Sequence, residues 1–212
     1  MRIALINENS QAAKNELVYN TLNKVATKYG HVVDNYGMFG AEDKPLTYVQ
    51  NGILTAILIN SGAADFVITG CGTGSGAMLA ANSFPKVLCG LIVDPSDAYM
   101  FTQINDGNAC SFPFAKGFGW GAELNLEYCF DKLFAQPGGG GYPKERVIPE
   151  QRNKKILDKV KEVTHTSMIE ILKNIDQELL LEAIDRDSFK TLFFANAKDE
   201  ELVNFCKNLL NM

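Results

Sequence analysis

The residues best suited to chemistry lie in one stretch, Gly70-Cys71-Gly72-Thr73-Gly74-Ser75-Gly76. It follows the run Asp65-Phe66-Val67-Ile68-Thr69 and leads into apolar Ala77-Met78-Leu79-Ala80-Ala81. That order predicts a strand, a tight loop and a helix N-terminus. Alternate glycines let the backbone close on a ligand, and the first amides of the helix point at an anion. A cysteine inside such a cradle feels the positive end of the helix, which favours thiolate over thiol, so Cys71 is a candidate base or nucleophile. Two other readings fit the same residues. Cys71 can be a buried small hydrophobe beside a plain glycine turn. Alternatively, Gly72-Thr73-Gly74-Ser75-Gly76-Ala77 fits a relaxed dinucleotide-binding pattern, with Asp94 after the next apolar run.

The elements that must hold this cradle can be read along the chain. Residues 3–6 predict a first strand, with Asn7-Glu8-Asn9-Ser10 where it turns into a helix. Leu17, Val18, Leu22, Val25 and Ala26 recur at helical spacing until Gly30, a C-terminal cap. His31-Val32-Val33-Asp34 predicts a second strand and puts His31 in a solvated or structural role. Pro45 is expected to open a helix carrying Val49, Ile53, Ala56, Ile57 and Asn60, closed by Gly62. The apolar run Val87-Leu88-Cys89-Gly90-Leu91-Ile92-Val93 predicts a strand covered on both faces of a parallel sheet. Asp94 and Pro95 follow as N-cap and first turn.

Further on, residues 99–108 end a helix in polar groups, and Ala109-Cys110-Ser111-Phe112 is the expected fifth strand. Leu124, Leu126, Tyr128, Phe130, Leu133 and Phe134 predict a core-packing helix. Gln136-Pro137-Gly138-Gly139-Gly140-Gly141-Tyr142-Pro143 predicts a mobile loop or linker. Beyond Pro149 only helical spacing remains, in Ile156, Val160, Val163, Met168, Ile171, Leu172 and Ile175, then in Leu202, Phe205, Cys206 and Leu209; His165 falls on the first of these helices as a surface or interface residue. The expected division is an α/β domain over residues 1–150 and an all-helical extension over 151–212. The extension is too small to stand alone and must pack on the core or on a partner subunit.

Composition narrows the function. The chain has 212 residues, 46% of them hydrophobic, and a formal net charge of -5. An acidic balance without basic clusters speaks against nucleic acid and against a membrane-surface patch, leaving small molecules or other subunits as partners. Five scattered cysteines, at 71, 89, 110, 129 and 206, form no metal-binding pair and are expected to be reduced thiols in a cytoplasmic protein. The N-terminus turns polar at Asn7, too soon for a signal peptide, and no apolar stretch is long enough to span a bilayer.

Taken in order and spacing, Gly70-Cys71-Gly72-Thr73-Gly74-Ser75-Gly76, Asn82, Asn105-Asp106-Gly107-Asn108, and Gly140-Gly141 followed by Arg146-Val147 resemble the ribose-5-phosphate isomerase B and galactose-6-phosphate isomerase family. The resemblance covers roughly residues 1–150. It implies a Rossmann-like three-layer α/β/α sandwich around a five-stranded parallel sheet, a homodimer or dimer of dimers with active sites at the interface, and no metal or nucleotide cofactor. It implies that Cys71 is the base moving a proton between C1 and C2 of an open-chain aldose through a cis-enediolate. Thr73 and the loop of Gly72, Gly74, Ser75 and Gly76 would hold substrate oxygens, and Asn105 would line the same pocket. Proton abstraction beside a carbonyl needs a matched base and donors aimed at the developing oxyanion, and a thiol in an amide cradle supplies both. The dinucleotide reading finds no second motif.

The departures from the family pattern bear on the substrate. Glu8-Asn9 stands where the family has an Asp-His pair, so the carboxylate is kept and the phosphate-binding histidine is lost. The histidine assigned to ring opening is Ile104, which cannot act as an acid. Tyr142-Pro143 replaces an Arg-His pair that grips phosphate, although Arg146 remains with Lys144 beside it. These changes point to a substrate that needs little ring opening and carries one negative charge. One branch of the family, with a similar helical extension, isomerises 4-deoxy-L-threo-5-hexosulose uronate, an unsaturated-uronate breakdown product with a carboxylate that Arg146 and Lys144 could hold. The alternatives are a sugar phosphate, as for the family's namesakes, or a non-catalytic sugar-binding subunit, against which Cys71 argues.

Overall fold

Every residue of Phe66–Cys71 is buried, which places this strand, apolar on both faces, in the interior of the sheet. The computed structural model describes residues 1–212. Its strands are β1 (Arg2–Leu5), β2 (Val32–Asn35), β3 (Phe66–Cys71), β4 (Cys89–Leu91) and β5 (Ala109–Pro113). All pairings are parallel, in the order β2-β1-β3-β5-β4. The helices are α1 (Asn15–Lys28), α2 (Tyr48–Ser61), α3 (Ser75–Asn82), α4 (Pro95–Met100), α5 (Ala122–Phe134), α6 (Val147–Thr164), α7 (Met168–Asn174), α8 (Gln177–Ile184), α9 (Asp187–Asn196) and α10 (Glu200–Leu209).

Alternation along the strands divides the interior into two cores. Ala4, Ile6 and Val67 face α2, together with Leu172, Leu180, Phe189, Phe193, Leu202 and Cys206 from the C-terminal helices. Ile3, Leu5, Phe66 and Ile68 face α1 and α5. The result is the three-layer α/β/α sandwich, with α7 to α10 forming an all-helical addition on the α2 side. Helix α6 differs from these, since none of its residues is buried. Lys161 on α6 reaches the C-terminal end of α3, donating to the carbonyls of Asn82 and Phe84 at 2.8 Å each. No helix is long and apolar enough to cross a membrane.

Several boundaries differ from the sequence expectation for local reasons. Helix α2 starts after Thr47 rather than at Pro45, because Thr47 and Gln50 form a reciprocal capping box that satisfies two otherwise unpaired amides. Gly62 closes it as expected, at φ +69°. Strand β4 is shorter than its apolar run and lies at the sheet edge, because β5 inserts between it and β3. Nor is the glycine tract at 138–141 a free linker. Gly139 and Gly141 donate backbone N–H to the carbonyls of Thr102 and Gln103 at 2.9 and 3.0 Å, and Gly140 donates to Gln103 Oε1 at 3.2 Å. The helical pattern from Ile156 to Ile175 breaks at residues 165–167, where Ser167 caps α7 through the amide of Glu170.

Candidate active site

The chain passes from one side of β1 to the other between β2 and β3, so the carboxyl ends of β1 and β3 flank the crevice where ligands bind in open parallel sheets. Leu5 pairs with Ile68, which brings Asn7 and Glu8 level with Gly70 and Cys71. Cys71 is the last residue of β3 and is 8% exposed. Its carbonyl accepts from Phe114 N at 2.9 Å and Gly74 N at 3.3 Å, and the Gly72 carbonyl accepts from Lys116 N and Ala115 N at 2.8 and 3.0 Å. The loop is therefore fastened to the segment after β5.

The glycines of the loop are required by space. Gly74 has φ +76°, and a Cβ there would lie 2.5 Å from Leu91 Cδ1 and 2.9 Å from the Phe112 carbonyl carbon. Gly70 packs its missing side chain against the Phe114 ring and the Phe112 carbonyl. Gly74 is the N-cap of α3 and offers no side-chain cap, so the amides of Ser75, Gly76 and Ala77 have no acceptor within the helix. A Cβ on Gly76 would meet the Tyr48 ring at 3.3 Å. Thr73 is exposed at the rim, while Gly72, Ser75 and Gly76 are half-buried.

The other wall is the turn after β1. Glu8 is buried and caps the 3-10 helix Asn9–Lys14, accepting Ser10 N at 2.9 Å and Ser10 Oγ at 2.5 Å. Asn9 is exposed, and its backbone N–H goes to the Leu46 carbonyl at 2.7 Å. Gln11 and Lys14, which the sequence did not single out, continue this wall. Gln11 Nε2 donates to Ser10 Oγ at 3.0 Å, and Lys14 Nζ donates to Gln11 Oε1 at 2.8 Å and to the Phe114 carbonyl. Asn7 is fully buried with neither side-chain polar atom partnered. The only signal for these residues was their position behind a strand that ends beside β3.

Three of the expected site residues lie elsewhere in the single chain. Asn105 ends the π-helical turn Phe101–Asn105, just before β5 begins, and it is exposed beside Leu157, Val160 and Lys161. Val67 pairs with Ala109 and Cys71 with Pro113, so Asn105 and Cys71 sit at opposite ends of the sheet, separated along the strands by at least about 13 Å. Lys144 and Arg146 are exposed on the 3-10 turn Lys144–Arg146, which follows Gly141, a donor to the Gln103 carbonyl two residues before Asn105. Asn82 and Asn108 serve the scaffold instead: Asn82 exchanges hydrogen bonds with the Cys89 backbone at 2.8 and 2.9 Å, and Asn108 Oδ1 accepts from Leu88 N at 2.8 Å. No group of three or more His, Cys, Asp or Glu is placed to hold a metal ion.

Comparison with known proteins agrees with this architecture. Residues 3–128 match the family described as Ribose/Galactose Isomerase, and residues 163–209 match one described as Ribose-5-phosphate isomerase. A solved 4-deoxy-L-threo-5-hexosulose-uronate ketol-isomerase, complexed with a tartrate, is 58% identical over 100% of both chains, with a TM-score of 0.98. A ribose-5-phosphate isomerase from Vibrio parahaemolyticus is 50% identical over 99% of each chain, with a TM-score of 0.97. A ribose 5-phosphate isomerase from Thermotoga maritima is 25% identical and matches 70% of this chain and 96% of its own, with a TM-score of 0.54. The chain thus belongs to the ribose/galactose isomerase family and is an aldose-ketose isomerase.

Proposed function

We propose that this isomerase converts 4-deoxy-L-threo-5-hexosulose uronate to 3-deoxy-D-glycero-2,5-hexodiulosonate, with Cys71 as the base. The observation that carries the substrate is the full-length likeness, C-terminal helices included, to a protein named as the ketol-isomerase of that uronate. Asn9, Ile104 and Tyr142 support it, because each removes a group that a ring-closed sugar phosphate needs. In the reaction the Cys71 sulfur takes the proton from C2, and the electron pair moves onto the C1 carbonyl to give the cis-enediolate. The hydroxyl proton at O2 moves to O1, and the sulfur returns its proton to C1. The open amides of Ser75, Gly76 and Ala77 face the developing oxyanion, with the Thr73 hydroxyl beside them. Glu8 and Asn9 border the substrate on the β1 side.

Within one chain Asn105, Lys144 and Arg146 do not reach this crevice, so the working unit in this reading is a dimer in which the partner subunit supplies them. Arg146 and Lys144 then pair with the substrate carboxylate. The 50% identity to a ribose-5-phosphate isomerase favours a second reading, in which the same cations hold a phosphate. Turnover of the uronate, ribose 5-phosphate and galactose 6-phosphate by the purified protein, beside Cys71→Ala, separates the two. Uronate turnover that vanishes with Cys71 is the expected result, and preference for a sugar phosphate rejects the uronate.

A further inference from the structure

The turn after β1 contains a polar chain whose members Lys14, Gln11 and Ser10 the mechanism above leaves unused. It runs from the Lys14 ammonium through the Gln11 amide and the Ser10 hydroxyl to the Glu8 carboxylate, each link a hydrogen bond of 2.5 to 3.0 Å. Lys14 determines how the Gln11 amide is turned. An ammonium only donates, so the carbonyl end of Gln11 must face it and the NH2 end must face away. Lys14 is itself held by the Phe114 carbonyl and sits 4.6 Å over the Phe118 ring, both beyond the end of β5.

The NH2 end of Gln11 lies 3.9 Å from the point where a side chain on Gly72 would begin. One of its hydrogens goes to Ser10 Oγ, and the other has no acceptor in the protein. Gln11 is only 9% exposed, and its NH2 end is opposite the loop that carries Cys71. A buried donor left without an acceptor is unfavourable until a ligand or water oxygen supplies one. An anionic group is disfavoured there, since the Glu8 carboxylate stands at one end of the chain and the Lys14 charge is turned to Gln11, Phe114 and Phe118.

We infer that Gln11 is a specificity-determining residue that donates a hydrogen bond to an uncharged hydroxyl or carbonyl oxygen of the open-chain substrate lying over Gly72, and that Lys14 is the positioning residue that orients it. This rests on the Cys71 site proposed above. The contact persists from bound substrate through the enediolate, so its loss acts on KM more than on kcat.

The test uses whichever of the uronate, ribose 5-phosphate and galactose 6-phosphate the wild-type protein turns over fastest. Gln11→Met and Gln11→Ala are expected to raise KM about tenfold, with kcat within about threefold; two variants are made so that a folding defect in one does not decide the result. Lys14→Met should raise KM similarly, Lys14→Arg should restore it, and Lys14→Met should add nothing in the Gln11→Met background. A merely structural Lys14 would lower the melting temperature and leave KM alone, which overturns its positioning role. Unchanged KM in both Gln11 variants overturns the role of Gln11 while leaving Cys71 as the base. Full turnover by Cys71→Ala would instead remove the site itself.

Discussion

Asn51 on α2 donates from Nδ2 to Thr69 Oγ1 at 3.1 Å, and both residues are fully buried. The same nitrogen lies 3.4 Å from the Ile6 carbonyl. One amide therefore ties α2 to β3 and to the chain just past the end of β1, two residues before Cys71 and two before Glu8. Asn51→Ala leaves the Thr69 hydroxyl and the Ile6 carbonyl without this donor, at about 1–3 kcal/mol. Urea denaturation should show that loss together with a lower kcat, and an unchanged midpoint would deny the tie any weight.

Cys71→Ala removes the proposed base without enlarging a core cavity by more than one sulfur. A fall of about 10²-fold or more in kcat is expected, with an unchanged circular dichroism spectrum. Cys71→Ser, nearly isosteric, should recover little of the rate. Retained turnover in either variant would reassign the base.

Gly74→Ala is expected to be worse for the fold than its size suggests. The position has φ +76°, and the new methyl would meet Leu91 and the Phe112–Pro113 backbone. Left-handed strain and the forced shift together predict a destabilisation of about 1–3 kcal/mol, with activity falling because the cradle amides move. Thermal melts beside initial rates give both numbers. Gly117→Ala, where a Cβ meets nothing within 4 Å and only the φ of +72° is strained, is the control that separates backbone strain from collision.

The dimer reading makes a mixing prediction. Cys71→Ala and Arg146→Ala each disable every site in their own homodimers. Refolded together at equal amounts, half the dimers are mixed, and each mixed dimer regains one intact site if Arg146 acts across the interface. Recovery of about a quarter of the wild-type rate is expected on that count. No recovery would mean that Arg146 and Cys71 of one chain serve the same site, which overturns the dimer reading.

Stability should fall on the alkaline side. Burial pushes the thiols of Cys89, Cys129 and Cys206 up from about 9 to about 12, and burial also raises Cys110. A raised folded value means that the native state holds protons that the unfolded chain releases. The stabilisation is therefore complete below about pH 9 and is lost as pH rises toward 12, on the order of 1 kcal/mol per thiol per pH unit. Urea midpoints at pH 8, 9 and 10 check this slope, and Cys206→Ala should make it shallower.

The cradle was legible in the sequence because its signals are local. A β-branched run, alternate glycines and a helix-forming segment are consecutive, and each forces its neighbour's geometry. The same holds for Asp94 with Pro95, which forms the expected N-cap. What escaped depends on distant partners. Gln11 gains its orientation from Lys14, and Lys14 from Phe114, a hundred positions along the chain. The glycine tract reads as a linker until the carbonyls of Thr102 and Gln103 hold it down. The edge position of β4 follows from the insertion of β5, which no local pattern announces. Asn105 and Arg146 were named from the resemblance alone; the sheet register puts Asn105 at the far end from Cys71, and the hydrogen bond from Gly141 to the Gln103 carbonyl holds the chain before Arg146 beside the same segment.

The insertion of β5 beside β3 also sets an order of events during synthesis. The ladder from Val67–Ala109 to Cys71–Pro113 joins segments 42 residues apart, so its loop must close before either strand gains from the pairing. Until then the loop after Cys71 lacks its fastening to β5: the Gly74 carbonyl lacks the Ser111 hydroxyl that donates to it at 2.6 Å, and the Cys71 carbonyl lacks the Phe114 amide. On a ribosome, the nascent chain would carry Cys71 in an unshaped loop until residue 114 had emerged from the exit tunnel, and the thiol would reach its folded surroundings only once the chain beyond it had closed the cradle.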